Sequence, residues 1–142
     1  EGIMPDLVTF VSLLAACSHA GLLEEGTKVF ACMSSVYNIL PTLEHYTCLV
    51  DLFSRAGHLD KSAILCESLS SSERLPLLLS VLSACQKWMN VELGRWAFEQ
   101  CLQLDRTCAA AYVFMGNIYI AANMHGEADW INCLRGSNEE II

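Results

Sequence analysis

The sequence predicts an all-α protein, a right-handed α-solenoid of about four helix-turn-helix repeats. Two observations support this prediction: a recurring sequence motif with a turn, and two sets of equivalent repeat positions that share its spacing. The motif begins at Ser18, recurs 36 residues later at Ser54, and recurs in a weaker form after another 32 residues at Gln86. Each copy ends one helix, turns at a position suited to glycine, and starts a second helix with acidic residues that favour the positive end of a helix dipole.

Two columns of residues recur with the same three unequal spacings of 36, 32 and 34 residues. One column holds large side chains and the other holds small residues. We therefore expect the two helices of each hairpin to approach closely at the small residue, while the large one fills the remaining gap. A helical hairpin repeated with this period is typical of α-solenoids. The large column is Phe10, Tyr46, Leu78 and Tyr112, and the small column is Gly26, Ser62, Gly94 and Ala128.

The composition limits the function classes open to the chain. It has 142 residues, of which 54% are hydrophobic, and a formal net charge of −8. Residues 1–74 carry four basic and nine acidic side chains, a net of −5, and residues 75–142 carry four and seven, a net of −3. Non-specific nucleic-acid binding depends on clustered Lys and Arg, so we expect it to be weak here. No apolar run reaches the roughly 18 residues of a membrane-spanning helix.

The first residues do not resemble a targeting segment, and the chain opens in the middle of a pattern. We therefore expect it to be a piece of a longer protein, with any targeting segment upstream.

The eight cysteines are spread along the chain without a C-x-x-C pair. Most lie in apolar helical segments, and Cys17 and Cys85 occupy matching repeat positions. We interpret them as buried free thiols of a protein in a reducing compartment. A disulfide framework or a zinc site is the alternative interpretation.

Hydrophobic periodicity and capping residues predict eight helices. Asp6 or Thr9 is expected to cap the first helix, Thr42 the third, Asn90 the sixth and Thr107 the seventh. The predicted ranges after the first helix are 23–34, 43–55, 59–69, a fifth helix ending near 87, then 91–104, 108–122 and 126–134. Residues 70–73 are expected to form a loop, Pro76 to lie in the first turn of the fifth helix, Asn123 to adopt the left-handed conformation, and residues 136–140 to fray.

The first two helices are expected to bury broad apolar faces. The predicted buried residues are Val8, Phe10, Val11, Leu13, Leu14 and Cys17 in the first helix, and Val29, Phe30 and Met33 in the second.

One short motif points to catalysis. His125-Gly126-Glu127 matches the H-x-E of zinc deaminases, in which the His binds zinc and the Glu moves a proton. That site also needs a downstream Pro-Cys-x-x-Cys, and only Cys133 follows. We therefore predict no enzyme activity, no metal and no cofactor. The other histidines, His19, His45 and His58, are expected to be surface residues.

Three stretches, residues 5–10, 13–26 and 42–46, together with the two columns, resemble pentatricopeptide-repeat (PPR) proteins. More closely, they resemble the carboxy-terminal part of the plant organellar PLS subclass of PPR proteins. Residues 90–95, 104–105 and 111–119 resemble the E-type motifs that follow the last RNA-reading repeats of that subclass. The resemblance covers about residues 4–134 without a gap.

The resemblance implies which residues face RNA. In such proteins the fifth and last residues of each repeat face a base, which here are Val11 and Thr42, then Thr47 and Arg74. Val8, at the second position, is expected to wedge beside a base. A Thr hydroxyl can exchange a hydrogen bond with a base edge. The alternative interpretation is that Val11 and Thr47 are ordinary residues of a helix surface.

The resemblance also implies that different segments of the chain have different functions. Residues 1–74 would be two RNA-facing PPR repeats, residues 75–136 would be E-type, tetratricopeptide-like motifs for protein interaction, and residues 137–142 would be a frayed tail. The implied function is that of a non-catalytic RNA-binding adaptor in the mitochondrion or chloroplast, which selects a site for C-to-U editing and recruits a deaminase in trans through its E motifs.

The implied partners are a single-stranded organellar RNA, bound by the full-length array, and a protein such as a deaminase-bearing PPR protein, an editing cofactor or ribosomal proteins. No membrane and no small molecule is expected among the partners. The alternative function is that of a structural or interaction module in an organellar ribosome, or of a splicing or RNA-stability factor.

Overall fold

The computed structural model describes the backbone of residues 6–141, and the side chains of this range except those at 71 and 138–141. Helices are the only regular secondary structure in this range. The eight α-helices are α1 (Leu7–Ala20), α2 (Leu23–Ser35), α3 (Leu43–Arg55), α4 (Leu59–Glu67), α5 (Ser71–Trp88), α6 (Val91–Leu104), α7 (Ala109–Ala121) and α8 (His125–Ile141). None of the described helices is both long and apolar enough to cross a membrane.

The chain divides into two compact units, Glu1–Leu65 and Cys66–Ile142. In the first unit α1 packs against α2 and α3, and α2 also packs against α3. In the second unit α5 packs against α6 and α7, α6 against α7, and α7 against α8. Within each unit the hairpins therefore stack in sequence order, with the first helix of one hairpin against the first helix of the next. The expected division after residue 74 stays a prediction.

All four hairpin turns have the same backbone geometry. The turn residues Gly21, Gly57, Met89 and Asn123 have positive φ angles of 71°, 84°, 58° and 60°. At each turn the N–H of the following residue donates to a carbonyl five residues back, as in a Schellman motif. These bonds join Leu22 to Cys17 at 2.9 Å, His58 to Phe53 at 2.8 Å, Asn90 to Cys85 at 3.0 Å and Met124 to Tyr119 at 2.8 Å.

The turns thus repeat with the spacings of the two residue columns. Where Met89 replaces glycine, a side chain is held in the left-handed region, which costs about 1 kcal/mol or more of local strain. The expected left-handed conformation of Asn123 is confirmed.

The small column is buried at all four positions, as expected. A Cβ on Gly26 would overlap Cδ2 of Leu52, and a Cβ on Gly94 would lie 3.0 Å from Cδ1 of Ile118. Ser62 satisfies its hydroxyl by donating to the carbonyl of Val50 at 3.2 Å. The small residues therefore allow the helices to approach closely at Gly26 and Gly94, and the buried hydroxyl of Ser62 has a hydrogen-bond partner.

The three aromatic members of the large column pack against other aromatic rings. The ring of Tyr46 meets Phe30 edge-on at 5.4 Å between centroids, and the ring of Tyr112 meets Phe98 in the same way at 5.4 Å. Phe10 contacts Tyr37 at 5.6 Å. Edge-on contacts of this kind add about 0.5–1.5 kcal/mol each to the area that the rings bury.

Two predicted boundaries are wrong. Residues 70–73 do not form a loop, because α5 begins at Ser71 and places Pro76 in its second turn. Pro76 has no N–H, so the helix loses one hydrogen bond at this position. The burial of Leu77, Leu78, Val81 and Leu82 within the second unit stabilises the helix by more than this loss. Helix α8 continues to Ile141, through the stretch expected to fray, since the chain after Asn123 contains no proline and its described residues show no positive φ.

The predicted cap of α7 is also wrong. The helix begins at Ala109, with Cys108 in the capping position. Thr107 instead gives its N–H and its hydroxyl to one carboxylate oxygen of Asp105, at 3.0 Å and 2.7 Å. The caps of Asp6 on α1 and of Asn90 on α6 are confirmed, since their side chains accept the N–H groups of Thr9 and Leu93.

The apolar faces of α1 and α2 are narrower than expected. Phe10, Leu14 and Cys17 are buried, but Val8 is 73% exposed and Leu13 is 45% exposed. In α2 only Met33 of the three predicted residues is fully buried. Phe10, Leu14 and Cys17 are spaced by four and three residues and form one stripe on α1, while Val8 lies on the opposite face and Leu13 lies at the edge of the stripe.

Candidate nucleic-acid interface

A groove of about 410 Å³ lies in the first unit between the N-terminal halves of α1 and α3. We name it the α1–α3 groove. It brings together three predicted RNA-facing residues, Val8, Val11 and Thr42, which come from two consecutive repeats. The described residues that line it are Leu7, Val8, Val11 and Ser12 from α1 and Thr42, Leu43, Glu44 and His45 from the start of α3.

The shape of the groove follows from the packing of α1 on α3. Val8 and Val11 are three residues apart, so they lie on one face of α1, and neither belongs to the buried stripe of that helix. Val8 is largely exposed and Val11 is half-buried. Thr42 precedes α3 with extended backbone angles and is exposed. The groove therefore offers two apolar side chains and one hydroxyl to solvent.

His45 supports this groove from inside. The sequence suggested a surface residue, and this prediction is wrong, because His45 is 0% exposed. Its Nδ1 accepts the backbone N–H of Thr42 at 3.0 Å, and its Nε2 lies 3.0 Å from the carbonyl oxygen of Leu7. The imidazole thus joins the first turn of α3 to the first turn of α1. A polar side chain can be buried in this way because both ring nitrogens have partners.

These two bonds define the tautomer of His45. The backbone N–H of Thr42 can only donate, so Nδ1 must accept and carries no hydrogen. The carbonyl of Leu7 can only accept, so the ring hydrogen is on Nε2. The hydroxyl oxygen of Thr42 is 2.8 Å from the same Nδ1. Sequence reasoning missed His45, although its spacing of three residues from Thr42 is the spacing of a capping box.

The other two predicted RNA-facing residues are not part of the groove. Thr47 is exposed on α3, and its hydroxyl donates to the carbonyl of Leu43 at 2.8 Å. Arg74 belongs to the second unit, where its Nη2 donates to the carbonyl of Leu69 at 2.8 Å and approaches that of Glu67 at 3.5 Å. Its guanidinium therefore forms hydrogen bonds with carbonyl groups at the end of α4, as basic side chains near helix C-termini often do.

Among the described residues that line it, the α1–α3 groove has no positive side chain, and it includes the carboxylate of Glu44. A basic residue further along α3, Arg55, pairs with Asp51 at 3.2 Å. The same carboxylate oxygen of Asp51 accepts the Ser18 hydroxyl at 2.5 Å. No local sequence pattern predicts this network, since Ser18 and Asp51 are 33 residues apart. The positive charge of Arg55 is thus partly neutralised.

The remaining chemistry-bearing residues do not converge. His125 and Glu127 are exposed in the first turn of α8. In the part of the chain that the structure describes, no three His, Cys, Asp or Glu side chains are grouped so as to hold a metal ion. All eight cysteines are free thiols. Burial raises the pKa of Cys66 and of Cys101 to about 12 and that of Cys85 to about 11.

Known proteins with similar sequences carry the same repeat. Residues 8–39 match the family model described as "PPR repeat". In Arabidopsis thaliana, pentatricopeptide repeat-containing protein At4g14820 is 44% identical over 119 residues, which are 84% of this chain and 16% of that protein. Pentatricopeptide repeat-containing protein At4g33990 of the same plant is 37% identical over 134 residues, 94% of this chain and 16% of that protein.

A third relative, the Arabidopsis thaliana "pentatricopeptide repeat-containing protein At4g19191, mitochondrial", is 41% identical over 120 residues. That alignment covers 84% of this chain and 18% of the relative. The chain thus spans less than a fifth of the length of each of these three proteins.

Among solved structures, the crystal structure of the pentatricopeptide repeat protein PPR10 from maize matches with a TM-score of 0.81 and 21% identity. The match covers 92% of this chain and 19% of that one. At this level of identity the similarity shows the fold alone, which is an all-α solenoid of helical repeats. This is the fold class that the sequence predicts. The chain therefore contains one segment that matches the PPR repeat family, and over most of its length it is similar to pentatricopeptide repeat-containing proteins.

Proposed function

We propose that the chain is part of a non-catalytic, organellar RNA-binding adaptor, and that the α1–α3 groove holds one base of a single-stranded RNA. The observation that carries the proposal is the meeting of Val8, Val11 and Thr42 in one solvent-facing groove. These are residues at the positions that face RNA in the family that the sequence resembles. They come from two consecutive repeats, so the groove exists only where the two hairpins stack.

The groove has the chemistry that a base requires. Val8 and Val11 offer apolar surface to a base plane, and the hydroxyl of Thr42 can reach a base edge. Unstacked bases of single-stranded RNA are recognised in this way, by contact with their faces and by hydrogen bonds to their edges. Thr47 and Arg74, which use their polar groups within the fold, contribute less to base recognition in this proposal.

The charge pattern supports recognition of bases rather than of phosphates. With no Lys or Arg among the lining residues that the structure describes and a net charge of −8 on the chain, few counterions would be released on binding. We therefore propose that most of the phosphate contacts are made by other repeats of the longer protein, and that this chain adds selectivity.

We further propose that the adaptor selects a site for C-to-U editing in the mitochondrion or chloroplast and that residues 75–136 recruit a deaminase in trans. The second unit exposes large apolar side chains, among them Met89, Ile120 and Trp130, which are 48%, 52% and 55% exposed. Aromatic and Met side chains are enriched at protein interfaces. The relative that is named mitochondrial supports the organellar location.

The RNA-binding proposal is tested with two exposed valines of the first unit. Val8 lines the groove and Val36 does not, and they are 73% and 65% exposed. We expect Val8→Glu to weaken binding of a single-stranded RNA by about tenfold or more, because it removes a base contact and adds a negative charge. We expect Val36→Glu to bind as the unmodified chain does. Equal affinities of both variants and the unmodified chain would refute the groove as the binding site.

The editing proposal needs the full-length protein. Deleting residues 75–142 should abolish editing of the target cytidine while RNA affinity is retained. If editing survives this deletion, the recruitment role is wrong. If the full-length protein copurifies in stoichiometric amounts with an organellar ribosome and its loss leaves editing unchanged, a ribosomal role replaces the editing proposal.

A further inference from the structure

We propose that one face of α7, formed by Ala109, Val113 and Ile120, docks an amphipathic α-helix of the recruited protein. The docked helix would lie on α7 as α3 lies on α1. This inference rests on the proposed function, since it requires that residues 75–136 bind a protein partner. It adds which face of the second unit is used and what kind of segment fits that face.

The first unit shows how a first helix of a hairpin receives its neighbour. The carbonyl of Leu7 in α1 bonds to His45 of α3, Val11 lines the groove between the two helices, and the hydroxyl of Ser18 donates to Asp51 of α3. Leu7, Val11 and Ser18 are separated by four and seven residues, so they lie on one face of α1. This is the face that packs against α3.

The same face of α7 is exposed. The repeat spacings of 36, 32 and 34 residues place Ala109, Val113 and Ile120 at the equivalent positions of α7. Val113 and Ile120 are 45% and 52% exposed, whereas Ser18, at the position of Ile120, is only 3% exposed beneath α3. The sequence of α7 contains no charged residue. A helix that is apolar on all sides is typical of one surrounded by protein, so we infer that this face is covered in the working complex.

A glycine in the middle of this face points to a close neighbour. Gly116 lies between Val113 and Ile120, three and four residues from them, and is part of the same stripe. A Cβ at Gly116 would lie 3.9 Å from Cγ2 of Ile131, an ordinary contact, so the packing of α7 on α8 does not require glycine. Glycine destabilises the interior of a helix relative to alanine, but it allows another backbone to approach closely. At the equivalent positions the other first helices carry the buried residues Leu14, Val50 and Leu82.

The face of α7 also defines the chemistry of the docked helix. Where α1 sets the hydroxyl of Ser18 against the carboxylate of Asp51, α7 has Ile120, which cannot bond to a buried carboxylate. The partner therefore presents an apolar side chain at this point and further apolar side chains along one stripe. Residues 75–142 carry a net charge of −3, so Lys or Arg beside the stripe would give electrostatic complementarity.

The experiment uses the full-length protein in cells, with editing of the target cytidine as the measured quantity. We expect Val113→Glu combined with Ile120→Glu to lower editing by about tenfold or more, because two carboxylates would be buried against an apolar helix. RNA affinity should be retained. Val36→Glu, at a valine of the first unit that is 65% exposed, should edit as the unmodified protein does. Because both substituted side chains of α7 are exposed, circular dichroism should show an unchanged helix content.

A second measurement does not depend on the stability of a charged variant. The photo-crosslinking amino acid p-benzoylphenylalanine is placed in the full-length protein instead of Ile120, and instead of Val36 as the control. We expect a covalent link from position 120 to one helical segment of the partner that carries an apolar stripe, and no link to the partner from position 36. If the double variant unfolds, the crosslink alone decides.

The outcomes separate the inference from the proposed function. The inference is overturned, with recruitment intact, if deletion of residues 75–142 abolishes editing but the folded double variant edits normally. A link from position 120 to the same polypeptide, or no link to the partner at all, overturns it as well. Editing that survives the deletion, or the loss of the whole protein, overturns the recruitment role and the inference with it.

Discussion

The Nε2 atom of His45 lies 3.0 Å from the carbonyl oxygen of Leu7, a residue 38 positions earlier in the chain. This bond joins the first turns of α1 and α3, which come from consecutive repeats. The other ring nitrogen accepts the N–H of Thr42 at the start of α3. One side chain therefore connects the stacking of two repeats with the shape of the groove that lies between them.

Replacing His45 by Leu should lower the unfolding free energy by about 2–4 kcal/mol, because it leaves the Leu7 carbonyl and the Thr42 N–H without the ring nitrogens in a buried site. Urea unfolding followed by circular dichroism measures this change. His125→Leu, at an exposed histidine in α8, is the control and should change the free energy by less than about 0.5 kcal/mol. Equal changes in the unfolding free energy for the two substitutions would show that the buried hydrogen bonds of His45 do not stabilise the fold.

Replacing glycine by alanine should have opposite effects on stability at two positions, because the helices approach closely at one of them and not at the other. Gly26→Ala should destabilise the fold by about 1–3 kcal/mol, since the new Cβ overlaps Leu52, which is itself only 1% exposed. The matched change Gly136→Ala lies in α8, where a Cβ meets nothing within 4 Å, and should stabilise the helix by up to about 1 kcal/mol. Thermal unfolding of both variants compares them. A Gly26→Ala variant as stable as Gly136→Ala would contradict the packing of α2.

Much of the fold can be predicted from local signals. Asn90 caps α6, whose bounds are those expected, because the side chain accepts an N–H only three residues away. The turns are also local, which is why Gly21 and Gly57 mark them. The start of α5 is different. A run of serines is typical of a loop, but Ser70 takes the capping position, and the buried leucines that follow favour the helix.

The candidate site was only partly predictable, for the same physical reason. Val8, Val11 and Thr42 were implied by the resemblance to PPR proteins, and they line one groove. The burial of His45 depends on a carbonyl in another repeat, and no local pattern reports it. The side chains of Thr47 and Arg74 are engaged by carbonyls of Leu43 and Leu69, and sequence position alone does not reveal such bonds.

The buried thiols should resist alkylation. The thiolate is the reactive form, and burial raises the pKa of Cys85 to about 11 and that of Cys66 and Cys101 to about 12, from an ordinary value of 9.0. At pH 8 iodoacetamide should therefore modify the exposed Cys133 first, and these three only after urea is added. Peptide mass spectrometry at successive times gives the order. Modification of Cys101 as fast as Cys133 in the folded chain would contradict its burial.

Asp105 should stabilise the fold at neutral pH but not in acid. The hydroxyl and N–H of Thr107 hold the pKa of this carboxyl below its ordinary value of 3.8. A lowered pKa in the folded state adds stability above pH 3.8, and this stability is lost as the pH falls through the folded value.

Asp105→Asn should therefore be less stable than the unmodified chain at pH 7, and the difference should shrink at a pH below 3.8. Unfolding free energies at the two pH values test this, with Asp129→Asn, an exposed residue of α8, as the control. A difference that is the same at both pH values would show that the charge of Asp105 plays no part.

The central claim is that the α1–α3 groove receives an RNA base, and a titration of the isotope-labelled chain with single-stranded RNA tests it most directly. We predict that the largest amide shift changes fall on residues 7–12 and 42–45, which line the groove or lie within the same turn. Shift changes that leave these residues unaffected, or none at all at saturating RNA, would contradict the claim.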